Sequence, residues 1–304
     1  MLAFVAAGCL LVVSERSSAA AQPGAGFFDP QARDEASRAI PFDQMNEQVR
    51  GKLWEIVSRP SLFRRMPAQV IDCDPDLYVL LIRYPEVIVN MWQMMGITKV
   101  QVKRTGPFTF EASDGAGTVS SVELVYGRPD LHVFYADGAY EGPLLHHRTD
   151  GHCVLLLRSA FTKRDERMYV TSHLDVFVRL NDAGTEIVAK TLQPVVGKAV
   201  DNNFIESLKF LGQVSQATEL NGPGMQLLVG RLTNVDPTIR QTFSQQVESV
   251  YQKAVLRGAL RSSSRPAGSP PSETSEVRQT ATTSHAESAG VVKPVPAPGP
   301  GYRR

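Results

Sequence analysis

Met168-Tyr169-Val170-Thr171-Ser172-His173-Leu174-Asp175-Val176-Phe177-Val178-Arg179-Leu180 is the stretch whose reading decides the fold. Successive side chains on a strand point to opposite faces. Val170, Ser172, Leu174, Val176, Val178 and Leu180 therefore share one face, and Tyr169, Thr171, His173, Asp175, Phe177 and Arg179 share the other. The first face is almost wholly apolar and must pack on another element; the second is mixed. Reading back towards the N terminus, turn chemistry at Asp137-Gly138, Gly127-Arg128-Pro129-Asp130 and Asp114-Gly115 cuts the chain into further strand-like runs. These are Ile97–Lys103, Pro107–Ala112, Thr118–Tyr126, Leu131–Ala136 and Gly151–Phe161. Strands that follow one another through short turns form one antiparallel sheet.

Helical patterns flank that sheet. Leu77–Met95 precedes it, with Asp74-Pro75 as the start and Pro85 as a break in the middle. Asp201–Leu220 follows it, with Asp201 as the expected N-cap, Phe204, Ile205, Leu208, Leu211 and Val214 as an apolar stripe, and Asn221-Gly222-Pro223 as the stop. The intervening Thr185–Val200 suits strand or helix and is interrupted by Pro194 and Gly197. A lead-in helix over Gln44–Ser58 capped by Asp43, a short strand over Pro67–Asp72, and helices over Gly224–Leu232 and Thr238–Arg257 complete the pattern. The expected fold class is α+β: an antiparallel sheet of about six or seven strands gripping a long C-terminal helix, with extra helices at both ends. Residues 41–260 are expected to form one domain, with 22–40 as a flexible linker before it.

With 42% hydrophobic and 21% charged residues in 304, the chain is ordinary globular material, long enough for a large core. Both ends fall outside it. Met1–Ala21 joins an apolar run, Leu2–Val13, to the small residues Ala19-Ala20-Ala21, which reads as an export signal and places the mature protein in the periplasm or outside the cell. Arg261–Arg304 is rich in Ser, Pro, Ala and Thr and is expected to be a disordered tail. The chain holds 32 basic and 31 acidic residues, and the tail carries a basic excess, so the body is close to neutral. That argues against nucleic acid as the partner, because phosphate binding needs a concentrated basic face. No internal run of about 20 apolar residues suggests a membrane span in the mature chain.

The motifs offer little chemistry. Cys73 and Cys153 are an even number and would be able to pair in an oxidising compartment, with buried thiols as the alternative. His146-His147, Asp150, His152 and Cys153 lie close in sequence, but nothing fixes a ligand geometry, and no metal or other cofactor is expected. His173 and Asp175 share a strand face and form a candidate acid–base pair, with a structural hydrogen bond as the alternative; His132 lies on another strand. No Gly-x-Ser-x-Gly elbow occurs, and Asp114-Gly115-Ala116-Gly117 reads as a hairpin turn rather than a phosphate loop. Tyr84, Met91, Trp92, Met94 and Met95 read as core, although methionines also suit adaptable apolar pockets.

The order of helical segment, antiparallel strands and long closing helix, with Pro194, Gly197, Asn203-Phe204 and Leu208 in the closing segment, resembles the START-like, or helix-grip, superfamily over roughly residues 65–221. The chain also resembles a group of uncharacterised exported bacterial proteins in Arg83-Tyr84-Pro85-Glu86, Asn90-Met91-Trp92-Gln93, Asp114-Gly115-Ala116-Gly117-Thr118 and Leu174-Asp175-Val176-Phe177. The first resemblance implies a cavity between the sheet and the closing helix and a non-enzymatic binder or carrier of an apolar or amphiphilic molecule, a lipid among the candidates. Tyr135, His173, Asp175 and Phe177, on the mixed strand faces, are the expected ligand-binding residues. The alternatives are a structural or protein-interaction component of the cell envelope, and a cyclase- or dehydratase-like enzyme using His173 and Asp175.

Overall fold

The structure, a computed structural model, describes residues 29–142, 148–181 and 183–263. The export signal over residues 1–21, the tail beyond residue 263 and His146-His147 lie outside the described residues.

Eight antiparallel strands form one sheet: β1 (Leu62–Arg65), β2 (Gln69–Asp72), β3 (Gln101–Arg104), β4 (Thr109–Ser113), β5 (Thr118–Gly127), β6 (Leu131–Tyr140), β7 (Thr149–Arg164) and β8 (Arg167–Leu180). Strands β3 to β8 make a meander in which each pairs with the next. β1 and β2 both return to the outer side of β8, with Arg65 opposite Asp175 and Gln69 opposite Ser172. Pro67 falls in the gap between them, because proline cannot donate to a strand ladder. β1 is held to β8 across that gap by Met66 N donating to Leu174 O at 2.8 Å.

Two layers of helix cover this sheet, one on each face. On the inner face lie α3 (Pro75–Arg83), α4 (Pro85–Met94), α5 (Ala183–Leu220), α6 (Gly222–Gly230) and α7 (Pro237–Ser263). They bury Leu77, Tyr78, Val87, Phe204, Leu208, Leu211 and Phe243 against Phe110, Val122, Phe134, Leu155, Leu157, Leu174 and Val176 of the strands. On the outer face lie α1 (Pro30–Ala39) and α2 (Glu47–Ser58), which bury Ala32, Ala36, Leu53 and Ile56 against Phe63, Val133, Val154, Leu156 and Phe177. Each large apolar side chain so buried contributes roughly 1.5–3 kcal/mol. Both sheet faces are therefore packed, which is why β7 and β8 carry large apolar residues at odd and even positions alike.

The segment expected as a flexible linker contains α1. Asp29 caps it by accepting from Ala32 N at 3.1 Å, Pro30 starts it, and Ala32, Ala36 and Ile40 are buried at four-residue spacing. The expected cap of the next helix also moves: Asp43 belongs to a short 3-10 turn over Phe42–Gln44, and Asn46 caps α2 by accepting from Val49 N at 2.8 Å. Asp74 does cap α3, accepting from Asp76 N and Leu77 N at 3.0 and 3.1 Å, and Pro85 separates α3 from α4.

The ambiguous Thr185–Val200 is helical, so the closing helix α5 starts at Ala183 and Asp201 lies inside it rather than at its N-cap. Asp201 instead accepts from Arg64 Nε at 2.7 Å, a part-buried pair that fixes α5 over β1. Further along, Gly212 passes close to Asp72 O and the Ile71 side chain. A second pair, Glu86 with Arg104, ties the first turn of α4 to β3, and the same guanidinium donates to Arg83 O at 2.9 Å.

Cys73 and Cys153 are both buried and are thiols, not a disulfide. The register gives the reason: Cys73 N donates to Met168 O at one end of β8, whereas Cys153 pairs with Val178 near the other. Ten strand residues separate those levels, roughly 33 Å against the ~7 Å limit between Cα atoms of a disulfide. Burial pushes the Cys73 thiol up to about 12, so it is inert.

Candidate functional site

The expected ligand-binding residues lie on the side of the sheet away from α5. Phe177 is fully buried against Phe63, ring centroids 4.9 Å apart, beneath α1 and α2. Tyr135, half-buried, packs on the same cluster, sits 3.2 Å from His152 Nδ1 through its hydroxyl, and carries Lys52 Nζ above its ring at 5.6 Å. Burial raises its phenol, helped by the nearby Asp137. None of them meets the long helix, because odd-numbered residues of β8 face outward while Val170, Leu174 and Val176 face α5.

Asp175 has no solvent exposure and is held by two arginines. Arg65 Nε donates to Oδ1 at 2.7 Å, and Arg158 Nη2 donates to Oδ2 at 2.6 Å. Arg65 also reaches Glu35 at 2.9 Å and the Ala32 carbonyl at 3.0 Å, so the cluster ties α1 to the sheet. His173, opposite Arg158 in the ladder, is lowered by burial and by that guanidinium, with Asp175 opposing. The carboxylate is spent on arginine, and the geometry does not make His173 and Asp175 an acid–base couple. It makes a strut.

The remaining sequence candidates disperse. His152 lies 3.4 Å from Asp137, and Asp150 is taken by Arg148 at 3.0 Å. Among the described residues no three His, Cys, Asp or Glu side chains gather as a metal site. Met91 and Trp92 are core residues, while Met94 and Met95 are exposed at the end of α4.

The inner face carries what the sequence reading overlooked. At the end of the sheet where β4 turns into β5, the inward positions are small or hydroxylated. Ala112, Ser120, Gly138 and Gly151 make one row across β4 to β7, and Thr118, Tyr140 and Thr149 make the next. A Cβ on Gly138 would lie 3.0 Å from Ser120 Cβ, and one on Gly151 3.0 Å from Arg179 O, so a side chain at either position would crowd its neighbours. Asp114 closes the patch at the turn: its Oδ1 accepts from Ala116 N at 2.7 Å and Thr118 N at 2.9 Å, and Gly115 and Gly117 supply positive φ.

Among the described residues, three buried polar atoms in this patch have no hydrogen-bond partner: Asp114 Oδ2, Ser120 Oγ and Thr149 Oγ1. Their residues are 7%, 4% and 2% exposed. Elsewhere on the same face Asn90 Oδ1 and His132 Nδ1 are likewise without partners, whereas one buried phenol is satisfied. Tyr78 OH meets Ser159 Oγ at 2.9 Å and Ser172 Oγ at 2.8 Å, and burial pushes that phenol up to about 12. The unmet atoms are two hydroxyls, which donate or accept, and a carboxylate oxygen, which accepts. Among the described residues no base hydrogen-bonds Ser120 Oγ. The alternation Thr118, Ser120, Val122 is present in the sequence, but nothing in it says that the hydroxyls face the core.

No family model matches this sequence, and no curated protein matches it. Among solved structures, a conserved protein from Geobacillus kaustophilus aligns at 12% identity over 45% of this chain and 91% of its own, with a TM-score of 0.27. A score that low leaves the account of the fold to the chain's own geometry.

Proposed function

We propose that this protein is a non-enzymatic binder or carrier of an amphiphilic small molecule, seated on the inner face of the sheet and acting outside the cytoplasm. The observation that carries the reading is the grouping of Asp114 Oδ2, Ser120 Oγ and Thr149 Oγ1, buried and without partners, beside the glycine row. A buried polar atom left unsatisfied costs about 1–3 kcal/mol, and folded proteins keep few of them. Three at one end of the sheet's inner face, spread over about 14 Å around Tyr140, would be met by a ligand whose polar part spans that end. The chain's element order, with a meander closed by a long helix, is in keeping with the helix-grip resemblance. The acid–base reading has no comparable support, since Asp175 is occupied by two arginines.

A structural or interaction role is the second reading, favoured by the exposed Leu220, Leu227 and Leu256 on the C-terminal helices. Native mass spectrometry of the protein purified from its own host separates the two. The expected result is a stoichiometric adduct that is released on denaturation and identified as an amphiphile. An unliganded mass, with no uptake of apolar fluorescent probes, overturns the binding reading.

A further inference from the structure

On one side the sheet ends at β3, with no further strand beyond it. On the other side β1 and β2 are bound to helices: Arg64 pairs with Asp201 of α5, Arg65 donates to Ala32 O of α1 at 3.0 Å, and Gly212 of α5 lies against Asp72 O. The register shows which backbone groups of β3 are free. Thr105 N donates to Thr109 O at 3.0 Å and Leu124 N donates to Phe108 O at 2.8 Å, so Thr109, Glu111 and Ser113 bond towards β3, whereas Phe110 and Ala112 bond towards β5. Gln101 and Lys103, opposite Ser113 and Glu111, therefore use their N–H and C=O groups inside the sheet. Val100, Val102 and Arg104 aim theirs away from it. Val100 is satisfied within the chain: its N–H donates to Thr98 Oγ1 at 3.1 Å, and its C=O accepts from Gln93 Nε2 at 2.8 Å. Among the described residues nothing meets the two N–H and two C=O groups of Val102 and Arg104.

An edge with unpaired backbone groups is a template for another strand. A second copy fits it badly. Two copies paired antiparallel about a two-fold axis engage all four groups only with Val102 of one opposite Arg104 of the other, and that register sets the two Lys103 side chains against each other. Like charges directly opposite are destabilising. Lys99, Gln101 and Lys103 alternate with Val100 and Val102 and are all exposed, and Gly115 lies against Lys99, so the outward row runs on past the strand. Among the described residues neither lysine makes an ion pair. The end of α4 reaches the same edge through Gln93, and Met94 and Met95 are exposed there. We propose that β3 is the docking strand for an extended segment of a partner protein, in which acidic residues four apart face Lys99 and Lys103 and apolar residues alternate with them. Val102 and Arg104 supply its backbone bonds, and the lysines select its charge and fix its register. This surface is separate from the inner-face patch and goes beyond the binding reading.

The test uses the full chain and two blocked, fluorescently labelled nonapeptides, TVEVTVEVT and TVKVTVKVT, each at concentrations where it is monomeric; fluorescence anisotropy gives their affinities. The acidic peptide should bind at least about tenfold tighter than the basic one, since two opposite-charge pairs replace two like-charge pairs. Lys103→Glu leaves one pair of each kind for either peptide and should bring their affinities to within about threefold. Val102→Pro removes an N–H that faces only the edge, a change that a terminal strand tolerates, so the unliganded melting temperature should stay close to wild type while the acidic peptide binds about tenfold more weakly. If Val102→Pro fails to fold, hydrogen exchange on the wild type decides, the acidic peptide being expected to slow the Val102 and Arg104 amides. Equal affinity for the two peptides, no binding of the acidic one, or binding that leaves those amides unprotected overturns the proposal. So does a wild-type dimer in sedimentation velocity that Val102→Pro dissolves, which would make a second copy the occupant. None of these outcomes touches the inner-face reading, which stands or falls on the adduct mass.

Discussion

His132 shows how one side chain inside the sheet couples stability to pH. It has no solvent exposure, lies 6.3 Å from Phe134 in a stacked arrangement, and accepts from Arg83 Nε at 3.2 Å through Nε2. That acceptor requires an unprotonated Nε2, so the ring must be neutral, with its proton on the buried, partnerless Nδ1. Burial, then the Arg83 charge, lowers the imidazole to about 4 from an ordinary 6.5, against a smaller opposing pull from Asp130. The unfolded chain therefore binds a proton between pH about 6.5 and about 4 that the folded chain refuses, and stability falls as pH drops through that window. The full shift corresponds to about 3 kcal/mol. His132→Gln cannot ionise, so urea denaturation of both proteins at stepped pH should show a steeper acid loss in the wild type, the gap growing from pH 6.5 towards 4. Parallel curves would show that His132 does not titrate in this window.

At the level of elements, α1 separates what the chain displays openly from what it hides. The strands between Ile97 and Leu180 were legible from period-two patterning and from the turns at Asp114-Gly115 and Gly127-Arg128-Pro129-Asp130, whereas Asp137-Gly138, read as a turn, lies inside β6 opposite His152 and Gly151. α1 was hidden because its inward residues are Ala32 and Ala36, which signal little hydrophobicity, although Asp29-Pro30 repeats the helix start found at Asp74-Pro75. Losing α1 reversed the reading of the sheet. With no cover assigned to the outer face, the mixed side of β8 looked like the lining of a ligand site, whereas Arg65 and Arg158, 93 positions apart in sequence, meet there on Asp175. The inner patch was illegible for a related reason, since only the register of β4 to β7 gathers Asp114, Ser120 and Thr149. Ala36→Asp tests the helix directly by placing a charge in a fully buried seam, at an expected cost of about 3 kcal/mol or more. Asp34→Ala, on the exposed side, should change stability by less than about 0.5 kcal/mol. Thermal denaturation of the two variants decides: similar melting temperatures are what a linker would give.

For the molecule as a whole, the sheet is a wall between two cores. Phe177 belongs to the outer core with Phe63, and Phe204 of α5 belongs to the inner core with Leu208 and Leu211. The strand backbone between them is hydrogen-bonded on both sides along β7 and β8, so it resists the shift that would let a void on one face be filled from the other. Phe177→Leu and Phe204→Leu should each cost about 1–2 kcal/mol, by loss of ring contacts and incomplete closure of the space. Because their surroundings share no side chain, the double variant should equal the sum of the singles to within about 0.5 kcal/mol. Phe63→Leu combined with Phe177→Leu is the opposite case: those rings touch, 4.9 Å between centroids, and removing one already forfeits part of what the other contributes. That pair should depart from additivity by about 0.5 kcal/mol or more. Chemical denaturation of the five variants reads both couplings. A coupling above about 1 kcal/mol across the sheet would mean that the cores move together, and a change on the outer face would then reach the Ser120 and Thr149 patch; independence confines the recognition chemistry to the inner face.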